Sequence, residues 1–257
     1  MTDDLSVTQY SCPLPIARGF TLIEMAVALF VISLLLGSIL VPLAAQVEQR
    51  QISETQKTMD DVRDALVGFA VTNGYLPCPD AMPPPSPVGT TLAAEINNGA
   101  EDVDAAGDCQ TKFGTISIGN LPWTTLGLAN KDAWGNRFRY IVVTDFTRRN
   151  PVFAITTTLP AFRLCEDAAC TSVTSSTAVA MVISHGNNGF SAMNATTNAL
   201  NPSPPLSAID ERKNADTTLD KVSRTKSTIV GNEFDDIVIT LSRFTLINRM
   251  VAVGKLP

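Results

Sequence analysis

The chain contains a single histidine, His185, among its 257 residues. A catalytic triad that uses histidine would need this residue, and no Gly-x-Ser-x-Gly motif supplies a serine nucleophile. We interpret His185 as a turn residue that follows a strand. A zinc site is also disfavoured, because the five cysteines form no Cys-x-x-Cys pair. The sequence therefore indicates a protein that is not an enzyme.

Positive charge is in the minority along the chain. Nineteen lysines and arginines stand against 25 aspartates and glutamates, which gives a net charge of −6. An acidic surface repels the phosphate backbone, so we expect no general nucleic-acid binding. Aromatic residues make up only 6% of the chain, so we expect the core to rely mainly on Val, Ile, Leu and Ala. The length suits one globular domain and one membrane segment.

Charge is absent from the whole stretch between Met25 and Ala45. As a helix this stretch is roughly 30 Å long, the thickness of a bilayer core, which predicts a transmembrane helix over residues 20–45. The "PLAAQ" at its end resembles a signal-peptidase site, so a secretory signal peptide is an alternative.

Glu24 lies at the start of this apolar stretch, and a carboxylate in lipid is costly unless it is paired. Cleavage after Gly19 would give Phe20 an amino group with which Glu24 could pair.

The stretch "RGFTLIEMAVALFVISLLL" resembles the class III signal and mature N-terminus of type IV pilins and of the pseudopilins of type II secretion. The resemblance implies that a prepilin peptidase cuts between Gly19 and Phe20 and methylates the new amino group of Phe20. It implies that Glu24 guides docking of the subunit into a filament. Residues 1–19 would be a cleaved leader, which is longer and less basic than is usual in the family.

The family resemblance also implies partners and a location. The partners are other pilin or pseudopilin subunits, the prepilin peptidase, the membrane and an inner-membrane assembly platform. The protein would cross the inner membrane once, with its N-terminus cytoplasmic and its C-terminal domain periplasmic, before it enters a filament. Two alternatives are a minor or tip pilin that binds a secreted substrate, a surface or DNA, and, less favoured, a membrane-anchored periplasmic enzyme. Type II secretion and a type IV pilus are both open.

The sequence from residue 46 to 73 predicts an amphipathic helix that continues from the apolar one. One stripe of residues recurs at steps of three and four, as expected for a helix face that packs on a core: Ile52, Thr55, Met59, Val62, Leu66 and Phe69. Asn73-Gly74 is a helix stop, and Pro77 and Pro79 confirm the exit.

Residues 74–257 are interpreted as a periplasmic, loop-rich β domain with a terminal helix. The stretches "RFRYIVV", "VFAITTTL", "AVAMVIS" and "FDDIVITLS" predict strands, the first of them alternating and the third buried and central. "SRFTLINRMVAVGKLP" predicts a C-terminal helix that stops at Gly254. The expected fold class is α+β, the pilin fold, in which the long N-terminal helix packs on a small antiparallel sheet. "DAWGNRFRY", "VISHGNNG" and "FDDIVITLS" resemble stretches of major pseudopilins.

Loss of the leader would remove Cys12, and export would place the other cysteines in an oxidising compartment. Four cysteines allow three pairings. We favour Cys78 with Cys109 and Cys165 with Cys170, because these are the closest pairs in the sequence.

The loop between Gly186 and Asp220 is rich in oxygen ligands. Some pseudopilins hold calcium in the corresponding loop, so calcium is the one candidate cofactor. The candidate ligands are Asn187, Asn188, Asp210 and Asp216. No EF-hand pattern is present, and a solvated loop is the alternative.

Overall fold

The computed structural model describes residues 19–82 and 97–256, apart from the side chains of residues 37–42. The predicted leader lies outside these residues except for Gly19. Internal contacts divide the chain into two units, Met1–Glu48 and Gln49–Pro257. Helix α1 begins at Leu22 and ends at Asn73, so each unit holds part of it. We describe the two units separately.

The part of α1 in the first unit is apolar and solvent-exposed. Phe20, Leu22 and Ile23 are 84%, 88% and 71% exposed, and the large apolar side chains that follow, up to Leu36, are about half exposed or more. Over the residues that the structure describes, no helix is long and apolar enough to span a membrane.

In the second unit, α1 is amphipathic as predicted. Its buried stripe consists of Thr55, Met59, Val62, Leu66 and Ala70, each at most 1% exposed. Ile52 and Phe69 lie at the margins of the stripe and are partly buried. The helix ends where the sequence predicts, because Gly74 adopts a φ of 92° and donates its N–H to the carbonyl of Ala70 at 2.7 Å.

Among the described residues, eight strands and three further α-helices follow α1, with a short 3-10 helix at Thr144–Phe146. They are β1 (Lys112–Phe113), β2 (Ile116–Asn120), α2 (Trp123–Leu126), β3 (Arg139–Val143), β4 (Arg163–Cys165), β5 (Val173–Ser175), β6 (Ala178–Ser184), α3 (Ile209–Ala215), β7 (Asp220–Val222), β8 (Ile237–Ser242) and α4 (Arg243–Ala252). An antiparallel sheet has the order β1-β2-β3-β6-β8. A smaller sheet has the order β5-β4-β7, in which β4 and β7 are parallel.

One face of the five-stranded sheet packs against α1. In the register, Val182 of β6 lies between Tyr140 of β3 and Ile239 of β8, so these three side chains share a face. Around one narrow gap this face meets α1, and the residues that line the gap are Arg63, Leu66, Ala180, Val182, Ile239 and Leu241. The predicted helix-on-sheet packing is therefore present.

The opposite face of the sheet is also covered. Ile118 of β2 pairs with Ile141 of β3, and Arg139 lies two residues away on the same face. There Arg139 reaches the backbone of Asp216, at the end of α3. Because both faces are covered, all five residues of β3 are buried. The prediction of an alternating strand in "RFRYIVV" is therefore wrong in its pattern, although the strand itself is present.

The other predicted elements differ in outcome. β6 is buried throughout, as predicted for "AVAMVIS", and β8 and α4 are present. The prediction of a strand in "VFAITTTL" is wrong, because the segment turns back on itself. Thr157 donates its N–H to the carbonyl of Ala154, and its hydroxyl accepts the N–H of Ala154. Phe153 packs on Phe146 instead, with ring centroids 4.8 Å apart.

Both favoured disulfides are present in the structure. Cys78 and Cys109 have Cα atoms 5.2 Å apart, and Cys165 and Cys170 have Cα atoms 5.0 Å apart. The first joins the segment after α1 to the segment before β1. The second joins the end of β4 to the turn before β5.

Next to the first disulfide, Asp80 enters the sheet. Its N–H and carbonyl bridge to Asn120 of β2 at 3.0 and 2.8 Å. Gly119 must lack a side chain here, because a Cβ would overlap the Asp80 carbonyl oxygen. The Asp80 side chain is fully buried, with the Arg137 guanidinium 4.0 Å away. Burial and the nearby Asp102 carboxylate raise the pKa of Asp80 to about 7.

Asp80→Asn should change how stability depends on pH. Between the ordinary value of 3.8 and about 7, folded Asp80 holds a proton that the unfolded chain has released. Its contribution to stability therefore falls as the pH rises through that window. The free energy of unfolding of the variant minus that of the unsubstituted chain should therefore be larger at about pH 8 than at about pH 5. Thermal unfolding of the full chain in detergent measures this, with Asp145→Asn, at an exposed carboxylate, as control. The assignment would be contradicted if the stability difference between the variant and the unsubstituted chain were the same at both pH values.

Candidate functional site

The first candidate site is the start of α1. Gly19 has open space around it, since an added Cβ would meet no heavy atom within 4 Å. Phe20 is exposed, and α1 begins two residues later. The peptide bond between Gly19 and Phe20 therefore lies just outside the helix, in a segment with no packing partner among the described residues.

Glu24 caps α1 through a reciprocal pair of contacts with Thr21. One carboxylate oxygen accepts the Thr21 N–H and the Thr21 hydroxyl, each at 2.9 Å. The Thr21 hydroxyl oxygen in turn accepts the Glu24 N–H at 3.3 Å. This is a capping box, and its signal in the sequence is the Thr-x-x-Glu spacing, which the sequence analysis did not use. In the uncut chain, Glu24 is therefore satisfied locally.

The second candidate site is a cluster of three carboxylates in the second unit. Glu211 of α3 and Asp235 and Asp236, just before β8, have oxygens that all lie within 4.8 Å of one another. Asn188 links two of them: its side-chain amide donates to Glu211 at 2.7 Å and its N–H donates to Asp235 at 2.9 Å. Gly186 permits this approach, because a Cβ there would overlap the Asp235 carbonyl.

Two oxygens of the cluster have no hydrogen-bond partner among the described residues, Glu211 Oε2 and Asp235 Oδ1. Glu211 is only 1% exposed. Burial, followed by the charges of Asp236 and Asp235, raises the pKa of Glu211 to about 7, and burial also raises the pKa of Asp235. Unsatisfied buried carboxylate oxygens suit a hard cation, so these residues fit calcium by their donor chemistry.

The predicted calcium ligands are placed differently from expectation. Asn188 belongs to the cluster, and Asn187 beside it is exposed. Asp210 instead pairs with Arg224 at 2.7 Å and accepts the N–H of Ala168. Asp216 pairs with Lys221 at 2.8 Å. A cation site at this position would draw its carboxylates from Glu211, Asp235 and Asp236.

A second group of metal-ligand atoms comprises Cys165, Cys170 and Asp220. The two cysteines are joined in a disulfide, and Asp220 is held by Arg163 in a two-pronged pair at 2.8 Å. These groups are therefore already engaged, and the carboxylate cluster is the better candidate.

His185 and Ser184 do not form a nucleophile pair. The Ser184 hydroxyl donates to Asp132 at 2.7 Å, whereas His185 Nδ1 lies 3.3 Å from Asp236. Both residues are buried at the end of β6. The interpretation of His185 as a residue at the end of a strand agrees with this position.

Comparison with known protein families identifies a motif at the N-terminus of the chain. Residues 16–40 match the family model described as the prokaryotic N-terminal methylation motif. No curated protein and no solved structure matches the chain.

Calcium should stabilise the second unit through the carboxylate cluster. At free calcium about 100-fold above its dissociation constant, the expected stabilisation is about 2.7 kcal/mol. Thermal unfolding with calcium or with a chelator measures it. Asp235→Asn should abolish the difference, whereas the matched Asp145→Asn should keep it. An equal calcium effect in both variants would contradict the assignment.

Proposed function

We propose that this chain, which carries the N-terminal methylation signal of type IV pilins and pseudopilins, is a structural subunit of a type IV pilus-like filament. The match over residues 16–40 is the observation that carries the proposal, because it includes Gly19, Phe20 and Glu24. Prepilin peptidase would cut after Gly19 and methylate Phe20. The exposed position of this peptide bond, outside α1, supports access by the peptidase.

The uncharged stretch from Met25 to Ala45 would hold the subunit in the inner membrane before assembly. Its exposed apolar side chains need cover, which lipid provides first and the helices of neighbouring subunits provide later. The second unit would then lie in the periplasm. The two disulfides support this placement, because disulfides persist in oxidising compartments.

Glu24 would serve two functions in sequence. In the uncut chain its carboxylate caps α1 through Thr21. After cleavage, Phe20 gains an amino group four residues before it, and a neighbouring subunit brings another. A charged carboxylate among apolar helices is stable only with such a partner. The charge of Glu24 would therefore select the register in which subunits dock.

A minor or tip subunit is the second candidate function, since it would share the same anchor. The observation that favours it is apolar surface on the second unit. Leu206, Ile229 and Val230 are 81%, 68% and 91% exposed. A position at one end of a filament would leave such a surface available for a partner.

Glu24→Gln separates the two functions of this residue. Glutamine can complete a capping box, so the helix start should persist, but it carries no charge for the amino group. We expect cleavage and membrane insertion as in the unsubstituted chain and at least about a tenfold loss of incorporation into filaments, as expected for one lost ion pair. Immunoblots of sheared filaments and of membranes measure both steps.

Thr21→Val is the matched control, because it removes the hydroxyl of the capping box and leaves the charge of Glu24. This variant should still assemble. Normal incorporation of Glu24→Gln, or equal loss in both variants, would remove the charge of Glu24 from its proposed docking function.

A further inference from the structure

A cavity of about 410 Å³ lies on the face of the five-stranded sheet that is opposite α1. Ile118 of β2 and Arg139 of β3 form its floor, and Leu200 and Leu206 line it from the loop before α3. Arg212 of α3 completes the wall. Pockets of about 300–1,000 Å³ with mainly apolar walls and a few polar groups are typical of small-molecule sites.

Arg139 is the unusual group in this wall. It is 6% exposed, yet its Nε atom has no acceptor among the described residues. One terminal nitrogen donates to the carbonyl of Asp216 at 3.4 Å, a long hydrogen bond. A guanidinium has five N–H donors, and leaving them unsatisfied in a buried position is costly. Burial lowers the pKa of Arg139 to about 10, so the group is still charged at neutral pH.

The other charges around the cavity leave it cationic. Arg212 is exposed and has no carboxylate partner within the described part of the chain. Asp216, the one acid among the described residues that line the wall, is bound by the ammonium of Lys221 at 2.8 Å. The more distant Asp236 is engaged by Asn214 at 2.7 Å and by His185 at 3.3 Å. Two arginines therefore line a mainly apolar space in which the described residues supply no free carboxylate.

We propose that the cavity binds a small amphipathic monocarboxylate, an apolar body that ends in one carboxylate. A carboxylate matches the planar fork of a guanidinium and supplies its counter-charge. The carboxylate contacts Arg139 and Arg212, and the apolar body packs on Ile118, Leu200 and Leu206. The walls do not favour a phosphate ester or a sugar, because the surface away from the arginines is mainly apolar and its neutral polar residues are Ser191, Ser203 and Thr217. This site lies within the second unit and does not depend on the proposed filament function.

Binding of hexanoate to the full chain in detergent tests the proposal. The readout is the ¹⁹F NMR linewidth of 6,6,6-trifluorohexanoate, with empty micelles as blank. The signal should broaden saturably and be restored by unlabelled hexanoate. Trifluorohexanol, which lacks the charge, should bind at least about tenfold more weakly, as expected for loss of a charged hydrogen bond.

Variants assign the binding to the cavity. Arg212→Gln, on the surface of α3, should fold normally and weaken binding about fivefold or more, while Arg249→Gln, at an exposed arginine outside the cavity, should not. Ala215→Phe keeps both arginines and fills the cavity from its wall, so it should abolish binding. Because the buried Arg139 is a risk to folding when substituted, the test does not rely on it.

Three results would overturn the proposal. They are no saturable broadening in the full chain, equal binding of the acid and the alcohol, and unchanged binding in both Arg212→Gln and Ala215→Phe. The second result would show that the ligand partitions into apolar surface without recognition of its carboxylate.

Discussion

The burial of β3 and β6 on both faces, with α1 on one face and the end of α3 reached by Arg139 of β3 on the other, is the constraint on which the second unit depends. Every residue of these two strands is buried, so the side chains on both faces of the sheet need packing or hydrogen-bond partners. On the α1 face the packing is mainly apolar, and Leu66, Val182 and Leu241 line the same narrow gap. On the opposite face the chain places charged groups in the interior, and each needs a counter-charge.

Those buried charges explain much of the loop-rich half of the domain. Lys221 is fully buried and pairs with Asp216, and Arg224 pairs with Asp210. The first pair joins the end of α3 to β7, and the second joins α3 to the segment after β7. Among the buried atoms of the described residues that still lack a hydrogen-bond partner are two oxygens of the carboxylate cluster, Glu211 Oε2 and Asp235 Oδ1, and the Nε atom of Arg139. The first suits a cation and the second an anion, so the two sites proposed here arise from the same burial.

Sequence reasoning was effective where a pattern is local. The end of α1 at Asn73 follows from Gly74, and α4 lies in the stretch predicted to form a C-terminal helix. β6 was predicted because a continuous run of β-branched and small apolar residues is typical of a buried strand. The N-terminal signal was read from the residues themselves, and the methylation-motif match covers it. Predicted membrane insertion is a proposal that rests on the uncharged stretch.

Sequence patterns gave wrong predictions where contacts between residues distant in the sequence determine the structure. "VFAITTTL" has strand composition, but Thr157 closes a turn with Ala154. Arg139 looked like the polar half of an alternating strand, yet the α3 layer buries it. The composition of the 186–220 loop suggested Asp210 and Asp216 as calcium ligands, whereas tertiary contacts give them cationic partners and bring Glu211 to Asp235. No spacing in the sequence reveals which acid of α3 faces which neighbour.

The most direct test of the account is the intact mass of the protein extracted from membranes that contain a prepilin peptidase, without reductant. The account predicts the mass of the chain from Phe20 onward plus one methyl group, reduced by the four hydrogens that two disulfides remove. The mass of the uncut chain, or of a chain that begins after Ala45, would contradict it. Either result would mean that Gly19 and Phe20 are not a processing site and that Glu24 has no docking function.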